Sequence, residues 1–321
     1  MSEPVVSVLM PTYNYAHYIS EAIQSVLDQT YQDFELVIID DRSSDNTDEV
    51  VKAFLADPRV RYYKNEKNLG LVGNFNKCLE YANGRYIKYL LADDKFDKEL
   101  LAKFVPVMDQ NPGVSLVTSD NYVFGVRSKI RHLPLQGKHK GNEVIFSVLK
   151  EGRGNWIGEP TVVMFRKTAL ASVGKFSGKY TCLVDINMWL RLLMTGDCYI
   201  IPEPLSYFRQ HPKQASSKTN VQNWLDEYNF YKDIKTSNPY GLKKYQMDSL
   251  GIDEVIKNRA LHCSKGMFRI LHKIYKPRNR KLIKKALEVA SHEKVIMQGF
   301  MTLLKKHAPL VNPVRALERT S

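Results

Sequence analysis

The chain is poor in cysteine, with four in 321 residues (Cys78, Cys182, Cys198, Cys263) and no CxxC spacing. Scattered thiols make neither a zinc knuckle nor a disulfide frame, so they read as reduced, partly buried side chains. No apolar run approaches the ~20 residues that span a bilayer, and the longest stretches are broken by Lys or Asp. Met1-Ser2-Glu3-Pro4 has neither the basic head nor the apolar core of a secretory signal, so a cytosolic, soluble protein is the expectation. Phosphate-cradling glycine loops are missing: there is no GxxxxGK[ST], and no GxGxxG follows the first strand. Gly152-Arg153-Gly154 with Gly158 only approaches such a loop and opens no βαβ unit. Repeats, zinc fingers and RNA-recognition signatures are absent too, which argues against a nucleic-acid partner. The remaining composition, 44% hydrophobic and 25% charged, is that of an ordinary globular protein.

Acidic residues become scarce late in the chain. Residues 213–321 hold 22 Lys and Arg against 9 Asp and Glu, which accounts for the whole net charge of +13. Residues 1–212 are neutral, with 25 of each. From about Asn220 only helical periodicity is visible. Between Gly266 and Lys306, apolar residues (Met267, Ile270, Leu271, Ile274, Leu282, Ile283, Leu287, Val295, Ile296, Phe300, Leu303, Leu304) recur at three- and four-residue steps. Among them stand Lys273, Lys276, Arg278, Arg280, Lys281, Lys284, Lys285, Lys305 and Lys306. A basic amphipathic stretch of this kind either packs its apolar stripe on a domain or rests on an anionic membrane surface.

Before that region two periods alternate. Val5–Met10, Phe34–Asp40, Val60–Tyr63 and Arg85–Leu91 are short apolar runs, each followed by a polar turn and then helical spacing. This is the pattern of βαβ units, so we expect an α/β fold with a parallel sheet covered on both faces. Val114–Ser119 reads as another strand, Trp156–Val173 as strand then helix, Asp185–Met194 as a helix and Cys198–Ile201 as a short strand. Residues 121–155 carry no clear period.

Open α/β sheets bind ligands beyond the carboxyl ends of their strands. Three polar clusters fall at such ends: Pro11-Thr12-Tyr13-Asn14, Asp40-Asp41-Arg42-Ser43-Ser44, and Ala92-Asp93-Asp94. Asp and Ser after a strand also cap the next helix, an equally physical explanation for each cluster alone. Two adjacent carboxylates, however, repel, and a divalent cation (Mn²⁺ or Mg²⁺) relieves the repulsion while binding substrate phosphates.

In that order SVLMPTYN (7–14), QTYQDFELVIIDDRSSDNT (29–47), YLLADD (89–94), GEPT (158–161), VDINMWLR (184–191) and YFRQH (207–211) resemble the family 2 glycosyltransferases of the GT-A fold. The resemblance covers residues 5–217. It implies a catalytic domain over 1–217, with a nucleotide-binding half at 1–120 and an acceptor half at 121–217, followed by a basic helical region at 218–321. It further implies that Pro11–Asn14, Asp40 and Asp41 line the nucleoside pocket, joined by Asn76, Lys88 and Ala92. Asp93 would be the metal carboxylate, supported by Asp94 and His211. Asp185 would be the general base, and Arg209 would close over the diphosphate. Glu159 and Trp189 would face the acceptor. The implied reaction moves a sugar from a nucleoside-diphosphate sugar, UDP above all, to a hydroxyl of a glycan or lipid-linked glycan at the inner membrane face.

Three departures stand out. Leu91 replaces the first Asp of the family's usual Asp-x-Asp-Asp, Val184 replaces the Glu before the base, and Phe75 replaces an Arg. That last exchange leaves Lys88 or Arg85 to supply the donor contact. Asp185 also suits a helix cap. A sugar-nucleotide nucleotidyltransferase and a non-enzymatic basic binder are the competing readings.

Overall fold

The computed structural model describes residues 3–151, 155–212, 214 and 221–307. The Gly152–Gly154 near-motif lies outside them, as do the side chains of Leu303, Leu304, Lys305 and Lys306. The chain divides into two compact units, one of Met1–Ser217 with Asn238–Leu250, the other of Lys218–Ser237 with Gly251–Ser321.

The apolar runs of the first unit become strands because their side chains are apolar on both faces. β1 (Val6–Thr12) and β2 (Phe34–Asp40) are buried almost throughout. They continue with β3 (Val60–Lys64), β4 (Tyr86–Tyr89), β5 (Lys95–Phe96), β6 (Val114–Gly125), β7 (Lys129–Arg131), β8 (Gly137–His139), β9 (Met164–Arg166) and β10 (Asp197–Gln210). The sheet order is β3-β2-β1-β4-β9-β6-β10-β5, with β7 beside β6 and β8 beside β10. β3, β2, β1 and β4 run parallel, β9 is antiparallel to both its neighbours, and β6 and β10 are again parallel. This is the expected α/β architecture with a mostly parallel sheet. The helix Ala16–Leu27 buries Ile19, Ala22, Ile23 and Val26, and Leu100–Gln110 buries Leu101, Phe104 and Met108, in one core with the strands. The helix Gly70–Tyr81 packs on β1 and β2.

Two strands run well past their expected ends. β6 reaches Gly125 and β10 reaches Gln210. Their middles are polar (Thr118, Ser119, Asp120 and Asn121; Pro202 to Pro204) and so look like loop. A register shift between Ile201 and Ser206 lets β10 bulge past its prolines and pair again with β6. Thr118, Ser119, Asp120 and Asn121 are nevertheless buried, whereas Pro202 and Glu203 are exposed.

The second unit consists of helices Val221–Ser237, Ile252–Ile270, Pro277–His292 and Ile296–His307. Met267, Ile283 and Val295 of the expected apolar stripe are buried, whereas Leu271, Ile274, Leu287 and Phe300 are exposed. Gly266 permits close helix contact, since a Cβ there would lie 2.4 Å from the Trp224 ring. Among the described residues, no helix is long and apolar enough to cross a membrane. None of the four cysteines is in a disulfide, and Cys78, Cys198 and Cys263 are buried.

Candidate active site

The chain turns back at β1: β2 and β3 lie to one side and β4 to the other, which opens a crevice at the carboxyl ends of β1 and β4. Thr12 and Asp40 end their strands side by side. Buried Asp40 accepts from the Ser43 amide (2.8 Å) and hydroxyl (2.6 Å) and from the Tyr62 hydroxyl (3.0 Å). Asn14 turns the chain in the left-handed region (φ 59°), and its Oδ1 accepts from the Ser44 amide (2.8 Å). Such strain in a non-glycine residue tends to gather at ligand sites. Pro11 stays in the strand opposite Ile39, while Tyr13 is exposed at the crevice. The Thr12 hydroxyl is buried without a protein partner among the described residues. Asp41 accepts from the Leu69 (2.7 Å) and Gly70 (2.9 Å) amides and the Asn65 side chain (2.9 Å), so it also ties down the next helix. A carboxylate has about four lone-pair positions, and three donors leave one for a ligand.

Past β4, the turn from Leu91 to Asp94 meets the end of β10. His211 Nε2 lies 3.0 Å from Asp93 Oδ2, and burial, then the charge of Asp93, raises the pKa of the neighbouring Tyr15. Arg209 donates from Nε to the Asp93 carbonyl (2.8 Å), pairs with Glu21, and is sandwiched by the Tyr18 and Phe124 rings at 4.7 and 4.3 Å. Asp94 faces away. Its Oδ1 accepts from the Arg209 amide (2.8 Å) and its Oδ2 from the Thr161 hydroxyl (2.6 Å). Burial, and then the charge of Asp93, push its carboxyl well above the usual range. Asp94 therefore clasps three segments, with each of its oxygens already accepting one bond inside the protein. Among the described residues, no three His, Cys, Asp or Glu converge as a ready-made metal cage. Asp93 and His211 are nonetheless a suitable pair of ligands, because 3.0 Å is the separation of adjacent ligands on an octahedral ion with bonds of about 2.1 Å.

Asp185 opens the helix Val184–Leu193. Its Oδ1 accepts from the Ile186 amide (2.7 Å) and its Oδ2 from Asn155 (3.0 Å). Desolvation, despite these bonds, pushes its pKa up to about 6, and the charge of Glu159 adds to the rise. Glu159 is held by a two-pronged pair with Arg131, whose Nε is anchored on Asn121 (2.9 Å). Arg131, Glu159, Phe208 and His211 all border one cavity of about 550 Å³, a volume within the range of small-ligand pockets. Asp93 meets His211 and Arg209 directly. The charge of Glu159 acts on both Asp94 and Asp185.

Other expected contacts are not brought in. Lys88 is fully buried, donates to the Thr161 carbonyl, lies 4.9 Å from the centre of the Phe96 ring, and has its pKa lowered by burial. It supports the sheet beneath the site and cannot touch a donor. Arg85 pairs with Asp109 away from the crevice. Trp189 is fully buried, with its indole on the Gly158 carbonyl (2.9 Å) and Phe176 against its ring, so it is a core residue and not an acceptor contact. Asn76 clasps the Phe176 main chain in both directions, and Ala92 is buried in the turn. Tyr15, Thr161, Asn155 and Arg131 were missed as site residues. No spacing singles them out, because each contacts a site residue distant in sequence.

Known proteins resemble this chain in sequence and in fold. A profile for "Glycosyl transferase family 2" matches residues 7–174. The Escherichia coli UDP-Glc:alpha-D-GlcNAc-diphosphoundecaprenol beta-1,3-glucosyltransferase WfgD is 34% identical over 60% of this chain and 71% of its own. A putative Bacillus subtilis teichuronic acid biosynthesis glycosyltransferase, TuaG, is 37% identical over 37% of this chain and 50% of its own. In fold, S. aureus TarS in complex with UDP-GlcNAc superposes with a TM-score of 0.63 and 17% identity, over 88% of this chain and 79% of that one. With the profile spanning more than half of the sequence, this chain belongs to the family 2 glycosyltransferases, GT-A enzymes that transfer a sugar from a nucleotide sugar.

Proposed function

We propose that the enzyme transfers a sugar from a UDP-sugar to a hydroxyl of a lipid-linked glycan, with inversion at the anomeric carbon. The observation that carries this reading is Asp185, a carboxylate fixed by Asn155 and the Ile186 amide with a pKa of about 6. Such a group is ionised at pH 7 yet basic enough to accept a proton in the transition state, help worth roughly 10²–10⁴-fold. An acceptor hydroxyl gives its proton to Asp185 as its oxygen bonds to the anomeric carbon. The bond from that carbon to the diphosphate breaks, and its electron pair leaves with the nucleotide. One displacement from the face opposite the leaving group inverts the centre.

Pro11–Asn14, Asp40 and Asp41 surround the nucleoside, with Tyr13 available to stack on the base. Asp93 and His211 would hold Mn²⁺ or Mg²⁺, which when bound neutralises the charge developing on the diphosphate. Arg209 steadies the Asp93 turn. On this reading residues 1–120 serve the nucleotide and 121–217 the acceptor. Relatives support the choice of substrates: the name of WfgD specifies a UDP-sugar donor and a diphosphoundecaprenol-linked acceptor, and TarS is seen with UDP-GlcNAc. A lipid-linked acceptor would bring the enzyme to the inner face of the cell membrane, with the basic region 218–321 on the anionic surface.

Titration calorimetry of UDP with Mn²⁺ and then EDTA, on wild type and Asp93→Ala, tests the donor side. Metal-dependent binding lost in the variant is the expected result, and equal binding by both proteins would remove Asp93 from the site. NMR of the product anomer tests the stereochemistry, where retention would exclude single displacement.

A further inference from the structure

We infer that the turn joining the helices Ile252–Ile270 and Pro277–His292 is a membrane-entering wedge for a bilayer of anionic lipid. This gives the lipid-linked acceptor reading an address in the chain, but it is read from the second unit alone. Residues 255–287 contain 11 Lys and Arg and no Asp or Glu. In the middle of that span every residue from Leu271 to Arg278 is exposed, among them Leu271, Ile274 and Tyr275, the last at 68%. Large apolar side chains are ordinarily turned inward, and the helices on either side do so, burying Met267 before the turn and Ile283 after it.

The exposed apolar residues are therefore not the unused edge of an amphipathic stripe. They project from a tight turn, Leu271–Lys273, with Lys273, Lys276 and Arg278 interleaved and Arg280, Lys281 and Lys284 following on the next helix. The Phe300 ring, itself partly exposed, packs at 5.2 Å on Phe268, three residues before Leu271, and adds apolar surface to that end of the helix. An apolar tip collared by unopposed cations matches the boundary between anionic headgroups and acyl chains. A nucleic acid would use the collar but leave Leu271 and Ile274 in water, so the apolar tip favours lipid.

Co-sedimentation of the full chain with phosphatidylcholine vesicles, with and without phosphatidylglycerol, tests the inference without donor or acceptor. Wild type is expected to bind the anionic vesicles and to leave the neutral ones, with affinity falling as salt rises. Ile274→Glu with Tyr275→Glu should weaken binding by roughly tenfold or more while UDP binding is unchanged. Lys273→Glu with Lys276→Glu should weaken it comparably and flatten the salt dependence. Circular dichroism of each variant verifies the fold, and all the changed side chains are exposed. The inference is overturned if wild type ignores anionic vesicles, or if the apolar pair is replaced without effect. It is also overturned if wild type is a dimer that Ile274→Glu dissolves, or if duplex DNA outcompetes the vesicles. Vesicle binding by a protein that fails to bind UDP would leave the wedge standing and remove the donor assignment.

Discussion

The two units handle charge in opposite ways. In the first, carboxylates and cations are equal in number across residues 1–212, and many are buried in bonds: Asp40 with Ser43 and Tyr62, Asp94 with Thr161 and Arg209, Glu159 with Arg131. In the second, the interior around Ala260, Cys263, Met267 and Ala286 is apolar, and most of the cations stand outside without acids to oppose them. Burying polar groups costs stability unless each finds a partner, so a core that tolerates them has a use for them. The second unit buries few of them, Asp226 and Ser264, and leaves most of its charge at the surface. The reading proposed above thus places chemistry in the first unit and long-range attraction in the second.

The sharpest test of that division is Asp185→Asn. Turnover should fall by roughly 10²–10⁴-fold while UDP binding persists, read from single-turnover kinetics beside calorimetry. In the wild type, kcat/KM should fall as pH drops through about 6, where Asp185 takes up its proton. The same shift bears on stability. The folded carboxyl holds its proton more tightly than an unfolded one, so the associated stability is complete below about pH 4 and is lost as pH rises through about 6. Asp185→Asn, which cannot ionise, should therefore melt higher than wild type at pH 8 and close to it at pH 4. Equal melting temperatures at both pH values would mean that the carboxyl is not desolvated.

Next in size is the clasp. Asp94→Asn and Thr161→Val should each weaken Mn²⁺–UDP binding by about tenfold, in line with ~1–3 kcal/mol for a buried bond, and the double variant should lose little more. Complete loss in Asp94→Asn, matching Asp93→Ala, would instead make Asp94 a ligand. Gly266→Ala comes after that. Overpacking against Trp224 should cost ~1–3 kcal/mol in denaturant melts and leave turnover on a soluble acceptor intact. The smallest effect is expected from Lys281→Glu with Lys284→Glu, within about 0.5 kcal/mol in stability because both are exposed. A large loss of soluble activity in that variant would show that the units do not divide their work this way.

Much of the first unit was legible in the sequence because a parallel strand buried on both faces is apolar along most of its length, as Leu36–Ile39 is. The polar residues after β1, β2 and β4 were visible for the complementary reason: a polar cluster interrupts an apolar run where the sheet ends. β6 and β10 were cut short because their site-bearing halves are polar, and only pairing across the sheet makes Asn121 or Ser206 a strand residue. Adjacency in sequence also misled. Asp93 and Asp94 look like equals, yet consecutive side chains point in different directions, and Asp93 meets His211 while Asp94 meets Thr161. Lys88 and Trp189 looked available because burial of a long cation or an indole depends on partners distant in sequence, the Thr161 and Gly158 carbonyls.

β10 is the last strand in the sequence yet lies between β6 and β5 in the sheet. Until it is inserted, β5 has no neighbour, Leu205 cannot receive the Asp97 amide, and Asp93 lacks both Arg209 and His211. A chain still emerging from the ribosome can thus form β1 to β4 and their helices early, but it cannot complete the contacts around Asp93 until residue 211 is free. Such late, distant pairing makes folding slower. A chain clipped before Arg209 would lack both of these partners of Asp93.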